Sequence, residues 1–213
     1  MGIQQSPFSR VYLAIVALLG WFALIAQFKI NITSQVAETP ELIIRYFSYF
    51  TILTNLLVAI CCTSLLLKPS SKWGQFFSSQ KTLTPITVYI LVVGLIYNLV
   101  LRFIWNPQGL QKVVDELLHS AIPLLILLLW IFLVKKRFLK WKAFFPWLQY
   151  PLIYLIFILI RGAFSGFYPY PFIDVTGLGY QKTILNSLGI TIMFVVLFLL
   201  FIAFGNIVNR RHR

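Results

Sequence analysis

Apolar residues gather into six long runs separated by short polar connections, near Val11 to Phe28, Tyr46 to Leu67, Ile86 to Ile104, Val113 to Val134, Phe144 to Ile160 and Ile184 to Phe204. A helix needs about 20 residues to cross a hydrocarbon core, so each run reads as a transmembrane helix, the fifth a short one. The pattern predicts an all-α polytopic membrane protein, with residues 1–213 forming one six-helix domain. The first run is long and no Ala-x-Ala type site follows it, so it reads as a retained helix rather than a cleaved signal peptide. No period of about 20 to 50 residues repeats, and the first three spans do not resemble the last three, which disfavours an inverted-repeat transporter. The connection from Arg161 to Thr183 contains Gly162, Gly166, Pro169, Pro171, Gly177 and Gly179. It predicts a turn-rich lid or plug over one end of the bundle.

Composition narrows the class. The chain is 60% hydrophobic and only 11% charged, against about 25% charged residues in soluble domains. An ordinary soluble enzyme and a disordered tail are therefore excluded. The two cysteines, Cys61 and Cys62, are adjacent and allow no intrachain disulfide framework. The net charge of +13 could point to an acidic partner, but its distribution gives another reason. Lys and Arg are retained on the cytoplasmic side of a membrane. Twelve of the eighteen fall in the N-terminal segment, the second and fourth connections and the C-terminal tail. The other connections hold six, together with all five acids: Glu38, Glu41, Asp115, Glu116 and Asp174. Both termini are therefore expected in the cytoplasm. The cations flank helices rather than forming a stripe among base-stacking aromatics, so no nucleic-acid partner is expected. Attraction to anionic headgroups follows as a secondary effect. The compact connections suit a bacterial inner membrane.

Polar side chains at membrane depth are costly and often mark function. In this topology they collect at the outer end: Ser48, Thr51, Thr54 and Asn55 early in the second span, Asn98 and Arg102 late in the third, and Asp115, Glu116 and His119 early in the fourth. Arg161 closes the fifth span at the same level, followed by Tyr168, Tyr170 and Asp174. At 1.5 Å per residue, Thr51 and His119 each fall roughly 8 to 9 Å below the start of their spans and can share a layer. Asp115 and His119 are four residues apart, which puts the carboxylate over the imidazole on one helix face, where it could fix the tautomer. Pro123 leaves the His119 carbonyl without its helical N–H partner and is expected to bend the helix there.

Structural roles compete for several of these residues. Ser, Thr and Asn in a span commonly tie helices together, which suits Thr54 and Asn98 taken alone. Tyr168, Tyr170, Trp105 and Trp147 fit an interfacial aromatic belt, Trp147 best of all. Arg102 and Arg161 could snorkel to headgroups or receive a lipid carboxylate or phosphate. Asn31-Ile32-Thr33 matches a glycosylation acceptor but abuts the first span. Met1-Gly2 with Ser6 fits a short myristoylation pattern. Cys61 and Cys62 are expected to pack in the core. Zinc hydrolysis is a poor fit, because His119 is the lone membrane histidine and His212 lies in the tail on the other side. No P-loop, dinucleotide fingerprint, haem ligand pair or serine-hydrolase elbow is present. No metal or cofactor is expected.

With these residues placed, Phe47 to Asn55 (FSYFTILTN), Leu101 to Gly109 (LRFIWNPQG), Asp115 to Pro123 (DELLHSAIP) and Tyr168 to Phe172 (YPYPF) resemble the bacterial six-span branch of the androgen-induced and androgen-dependent integral membrane protein superfamily. Animal members are intramembrane threonine hydrolases of fatty acid esters of hydroxy fatty acids. The resemblance implies Thr51 as nucleophile and His119 as base, matching Tyr49-Phe50-Thr51 ahead of Asn55, and His119-Ser120 ahead of Pro123. Thr54 stands three residues on from Thr51, and Thr51 precedes Asn55 by four positions where the animal pattern has three, so Thr54 is the alternative nucleophile.

The leading expectation is a membrane-embedded lipid esterase acting on a fatty-acyl ester in the outer half of the bilayer. Thr51 attacks, His119 takes its proton, and Asn55 or Asn98 stabilises the oxyanion. Arg102 or Arg161, with Tyr168 and Tyr170, would hold a substrate carboxylate at headgroup level. The alternatives are a non-enzymatic lipid or small-molecule carrier using the same cluster as a binding site, and a structural membrane subunit whose polar residues lock helices together.

Overall fold

The computed structural model describes residues 2–3 and 6–211; Met1, His212 and Arg213 lie outside the described residues. Among them no strand occurs, and six helical spans are long and apolar enough to cross a membrane. The chain order is α1 (Pro7–Thr33), α2 (Thr39–Phe47), α3 (Phe50–Leu67), α4 (Lys72–Ser78), α5 (Gln80–Leu99), α6 (Gly109–Glu116), α7 (Ile122–Leu133), α8 (Phe144–Trp147), α9 (Gln149–Ser165) and α10 (Val175–Arg211). A 3₁₀ turn, Leu101–Phe103, extends α5, and a π-helical turn, Leu117–Ala121, joins α6 to α7. All six expected spans are present, most of them longer at their ends than the apolar runs alone.

Two spans carry the interior. The apolar centres of α3 and α5 are 56% and 50% buried, against 22% for α9 and α10. α3 packs along α1 and α5, and α5 in turn packs on α7 and α10. Side-chain hydrogen bonds to backbone tie the layers: Tyr12 to the Leu125 carbonyl (2.8 Å) and Tyr89 to the Trp147 carbonyl (2.6 Å). Trp130 donates to Thr84 Oγ1 at 3.0 Å. Such bonds between spans stabilise packing that lipid-exposed apolar surface does not drive. Trp147 is 8% exposed and packs on Phe198, so it is a core residue and not the belt residue the sequence predicts. Cys61 and Cys62 are free and buried, as expected for core packing.

Two departures from the expected spans matter for the site. The run read as starting at Tyr46 is broken: α2 ends at Phe47, Ser48 caps it through its hydroxyl on the Ile44 carbonyl (2.6 Å), and Tyr49 is extended. Thr51 is therefore the second residue of α3 rather than a turn and a half into a span. Tyr154 donates to the Ser48 carbonyl at 2.8 Å and holds the break in place. The expected loop to Thr183 is also shorter. α9 continues to Ser165, and α10 starts at Val175, where Asp174 Oδ1 accepts from the amides of Thr176 and Gly177 as an N-terminal cap; Gly179, at a left-handed φ of 75°, breaks this first turn from the spanning part of α10. Gly162 reads as a turn residue but lies inside α9, where a Cβ would collide with the Tyr168 ring. The absent side chain lets the intervening strap, residues 166–174, fold back onto its own helix. Chain connectivity puts the start of α3, the end of α5, the start of α6, the end of α9 and the start of α10 at one end of the bundle, and both termini at the other.

Candidate functional site

Because α3 starts at Phe50, the amide of Thr51 is among those without an intrahelical carbonyl partner. The phenol of Tyr170, carried on the strap, supplies one: the Thr51 N–H donates to its hydroxyl oxygen at 3.2 Å. The same hydroxyl lies 3.3 Å from Thr51 Oγ1. The phenol thus bridges the amide and the side chain of Thr51, and in the second contact either hydroxyl can be the donor. Burial pushes the Tyr170 hydroxyl up to about 12, so it stays protonated at neutral pH. Its ring is stacked on Phe172 (5.1 Å, 6°) and meets Tyr49 edge-on (5.7 Å).

His119 occupies the middle of the π-helical turn, where the Ile122 N–H bonds back to the Leu117 carbonyl. Pro123 without an N–H and the wider turn together release backbone groups from the regular ladder, and π-turns recur at functional sites for this reason. The expected bend thus takes the form of a π-turn. The Asp115 carbonyl oxygen lies 3.0 Å from His119 Nδ1. A carbonyl can only accept, so Nδ1 carries the proton and Nε2 is left as the basic nitrogen. The imidazole stacks on Tyr97 at 4.0 Å and 12°. α5 approaches closely here: a Cβ on Gly94 would lie 2.9 Å from the His119 carbonyl oxygen.

Several expected roles change. The Asp115 carboxylate stands 3.8 Å from Nδ1, too far to orient it, and instead accepts from Trp105 Nε1 (2.6 Å) and Gln111 Nε2 (3.1 Å). The backbone of Asp115, not its side chain, sets the tautomer. Asn98 Nδ2 donates to the carbonyls of Gly94 (2.8 Å) and His119 (3.2 Å), so it completes the bonding that Pro123 leaves open. Asn55 is fully buried and donates to the Thr51 and Leu118 carbonyls at 2.9 and 3.2 Å, clamping the start of α3 to the π-turn. Both asparagines spend their donors on backbone, so neither aims one at a reacting oxygen. Thr54 is fully buried against Tyr150 (3.2 Å), away from any cavity wall.

The arginines are also committed. Arg102 makes a two-point pair with Glu116 (2.7 and 2.8 Å) and reaches Ser120 Oγ at 3.1 Å. Arg161 pairs with Glu41 at 2.8 Å and donates to the Phe167 carbonyl at 3.3 Å. Neither lines a described cavity, nor does Tyr168, which sits on Gly162. Arg161 and Arg45 instead approach the ring of Phe167, at 4.8 and 4.5 Å, and Glu41 bonds both guanidinium groups. The arginines secure the strap that carries Tyr170.

This arrangement predicts an acid-sensitive strap. The hydrogen bond from Arg45, together with Arg161, holds the Glu41 carboxyl below its ordinary value of 4.5. A lowered folded value means that protonation opposes the folded state, so the contribution is complete above the ordinary value and is lost as pH falls through the lowered one. Glu41→Gln is expected to raise hydrogen exchange at residues 166–172 at pH 7, with the exchange of α5 unchanged. Unchanged exchange of the strap would contradict its dependence on this pair.

Two cavities meet at these side chains. The first is a narrow apolar crevice of about 80 Å³ between α5, α9 and α10, walled by residues such as Val93, Ile96, Leu152, Leu155, Ile190 and Phe194. The second, about 490 Å³, is a polar vestibule that takes in Gln27, Asn31, Tyr49, Tyr97, Gln111 and Asp115. Thr51, Leu101, His119 and Tyr170 line both and form the partition between them. Tyr97, Trp105 and Gln111 are the contributors that sequence patterning misses as site residues. Gln111 and Asp115 at i,i+4 was the available signal. No three of His, Cys, Asp and Glu come together among the described residues as a metal ion would require. No protein-family model, curated protein or solved structure matches this chain, so the reading of the site rests on its own geometry.

Proposed function

We propose that the protein is an intramembrane esterase that cleaves a fatty-acyl ester with Thr51 as nucleophile and His119 as base. The observation that carries this reading is the partition itself: a threonine hydroxyl and a histidine with its basic nitrogen unspent border both an apolar crevice and a polar vestibule. The apolar walls of the first suit the start of an acyl chain and the polar side chains of the second an alcohol headgroup, with the ester bond at the partition. The resemblance of the Phe47 to Asn55 and Asp115 to Pro123 stretches to the bacterial branch of a superfamily whose animal members are threonine hydrolases implies the same pair.

In this mechanism Thr51 Oγ1 attacks the acyl carbonyl carbon while His119 Nε2 takes the hydroxyl proton. The carbonyl π electrons move to oxygen, and the oxyanion accepts from the Tyr170 hydroxyl and from amides at the start of α3, where the helix dipole adds to the field. Collapse of the tetrahedral intermediate expels the alcohol, which takes the proton from His119, and leaves an acyl-Thr51 ester. A water molecule from the vestibule, deprotonated by His119, repeats the attack and releases the fatty acid. Asn55 and Asn98 act as positioning residues, through the carbonyls they bind.

With both termini in the cytoplasm, the vestibule opens on the outer side. Tags at either terminus are expected to react only after permeabilisation, and a tag reactive in intact cells would reverse the orientation. The enzymatic reading is tested by reacting purified protein with a fluorophosphonate probe and a fluorogenic acyl ester. Labelling and turnover are expected together. Ligand binding without either would favour the carrier.

A further inference from the structure

The vestibule's chemistry bears on the headgroup. No Lys or Arg side chain lines it, and its one carboxylate is Asp115. A bare carboxylate or phosphate entering it would be desolvated beside Asp115 with no cation to meet it, which is strongly unfavourable. The arginines nearest in sequence to the site are held by Glu116 and Glu41 outside the cavity walls. A quaternary ammonium fares little better. The ring of Tyr97 is already stacked on His119 and approached by Arg102 at 5.2 Å, and both Asp115 oxygens are engaged.

What the vestibule does offer is neutral hydrogen-bonding capacity. Tyr49 and Tyr97 line it, and their hydroxyls have no hydrogen-bond partner among the described residues. Gln27 and Gln111 pair through their carboxamides at 2.9 and 3.4 Å, which leaves one amide hydrogen of Gln27 unspent. Asn31 spends its amide on the Leu42 carbonyl at 2.7 Å and keeps its carbonyl oxygen available. Donors and acceptors from α1, α5, α6 and Tyr49 are thus mixed around the vestibule, with no Lys or Arg among them. That suits an alcohol with several hydroxyls, each of which both donates and accepts.

We infer that the vestibule selects an uncharged, hydroxyl-rich headgroup, so that the ligand is a glycerol monoester rather than a lipid carrying a free carboxylate. The cleavage part of this inference rests on the esterase reading, and the binding part does not.

The experiment uses three single-chain amphiphiles that share a C16 tail and differ in headgroup: 1-O-hexadecylglycerol, palmitate and hexadecylphosphocholine. Binding to the full chain in nanodiscs is measured by displacement of radiolabelled 1-O-hexadecylglycerol, an ether that cannot be cleaved. The glycerol ether is expected to bind at least about tenfold more tightly than the other two, a difference of about 1.4 kcal/mol. Gln27→Lys, which puts a cation into the vestibule, is expected to strengthen palmitate relative to the ether. Asp115→Asn is expected to do the same in smaller measure, and serves if the lysine variant does not fold. Palmitate or hexadecylphosphocholine binding as tightly as the ether to the unmodified protein would overturn the inference. If that binding order holds but 1-monopalmitoylglycerol is not hydrolysed, the esterase reading falls and the headgroup assignment stands. Ester hydrolysis with no headgroup preference separates the two the other way.

Discussion

Thr51→Ala is expected to reduce ester hydrolysis by at least about 10³-fold and to remove covalent labelling, while the protein remains folded. Thr51 is 7% exposed at the partition, and among the described residues its side chain bonds only the Tyr170 hydroxyl, so the substitution leaves a small apolar gap and no stranded charge. His119→Ala is expected to slow turnover by about 10²–10⁴-fold, the usual worth of a general base. The two losses should not add, because each variant disables the same proton transfer. Thr51→Ser is expected to restore labelling. Thr54→Ala provides the contrast. Thr54 is buried on Tyr150, so its loss should cost about 1–3 kcal/mol of stability and leave the rate per folded molecule unchanged. A Thr54 variant that fails to label while Thr51→Ala labels normally would move the nucleophile by one helical turn.

Tyr170→Phe is the second decisive change. It keeps the ring that stacks on Phe172 and meets Tyr49, and it removes only the hydroxyl that faces Thr51. Loss of one oxyanion donor costs about 10²–10³-fold in turnover where it has been measured. The expected result is a fall of that size in kcat with KM nearly unchanged, because the hydroxyl interacts more strongly with the oxyanion than with the ground-state carbonyl. No pH dependence in the physiological range should come from this group, since burial pushes it up to about 12. Equal activity of wild type and Tyr170→Phe would leave the α3 amides as the only donors and contradict the role given to the strap.

The spans were legible because lipid exposure writes them as long apolar runs, and the expected order and number match what forms. The depth of Thr51 was not legible. The break after Phe47 depends on Tyr154 holding the Ser48 carbonyl from a helix 106 residues away. Hydropathy does not register such a contact. The π-turn was half visible: Pro123 announces a missing hydrogen bond, but not that Asn98 of another helix would donate to the orphaned carbonyl. The arginines misled for a related reason. Read singly they are anion sites, yet Arg161 meets Glu41 across 120 residues and Arg102 meets Glu116 across 14. Charge pairing of this kind is a property of the assembled bundle. The i,i+4 spacing of Asp115 and His119 did place the two side by side, with the backbone carbonyl taking the part expected of the carboxylate.

The proposed mechanism carries the acyl group on Thr51. Its most direct test is peptide mapping by mass spectrometry of the purified protein after reaction with a fluorophosphonate probe or a slowly turned-over acyl ester. A single adduct on Thr51, lost in His119→Ala, is expected. An adduct on Thr54 or on a serine, or ester turnover by the purified protein with Thr51 unmodified, would contradict it.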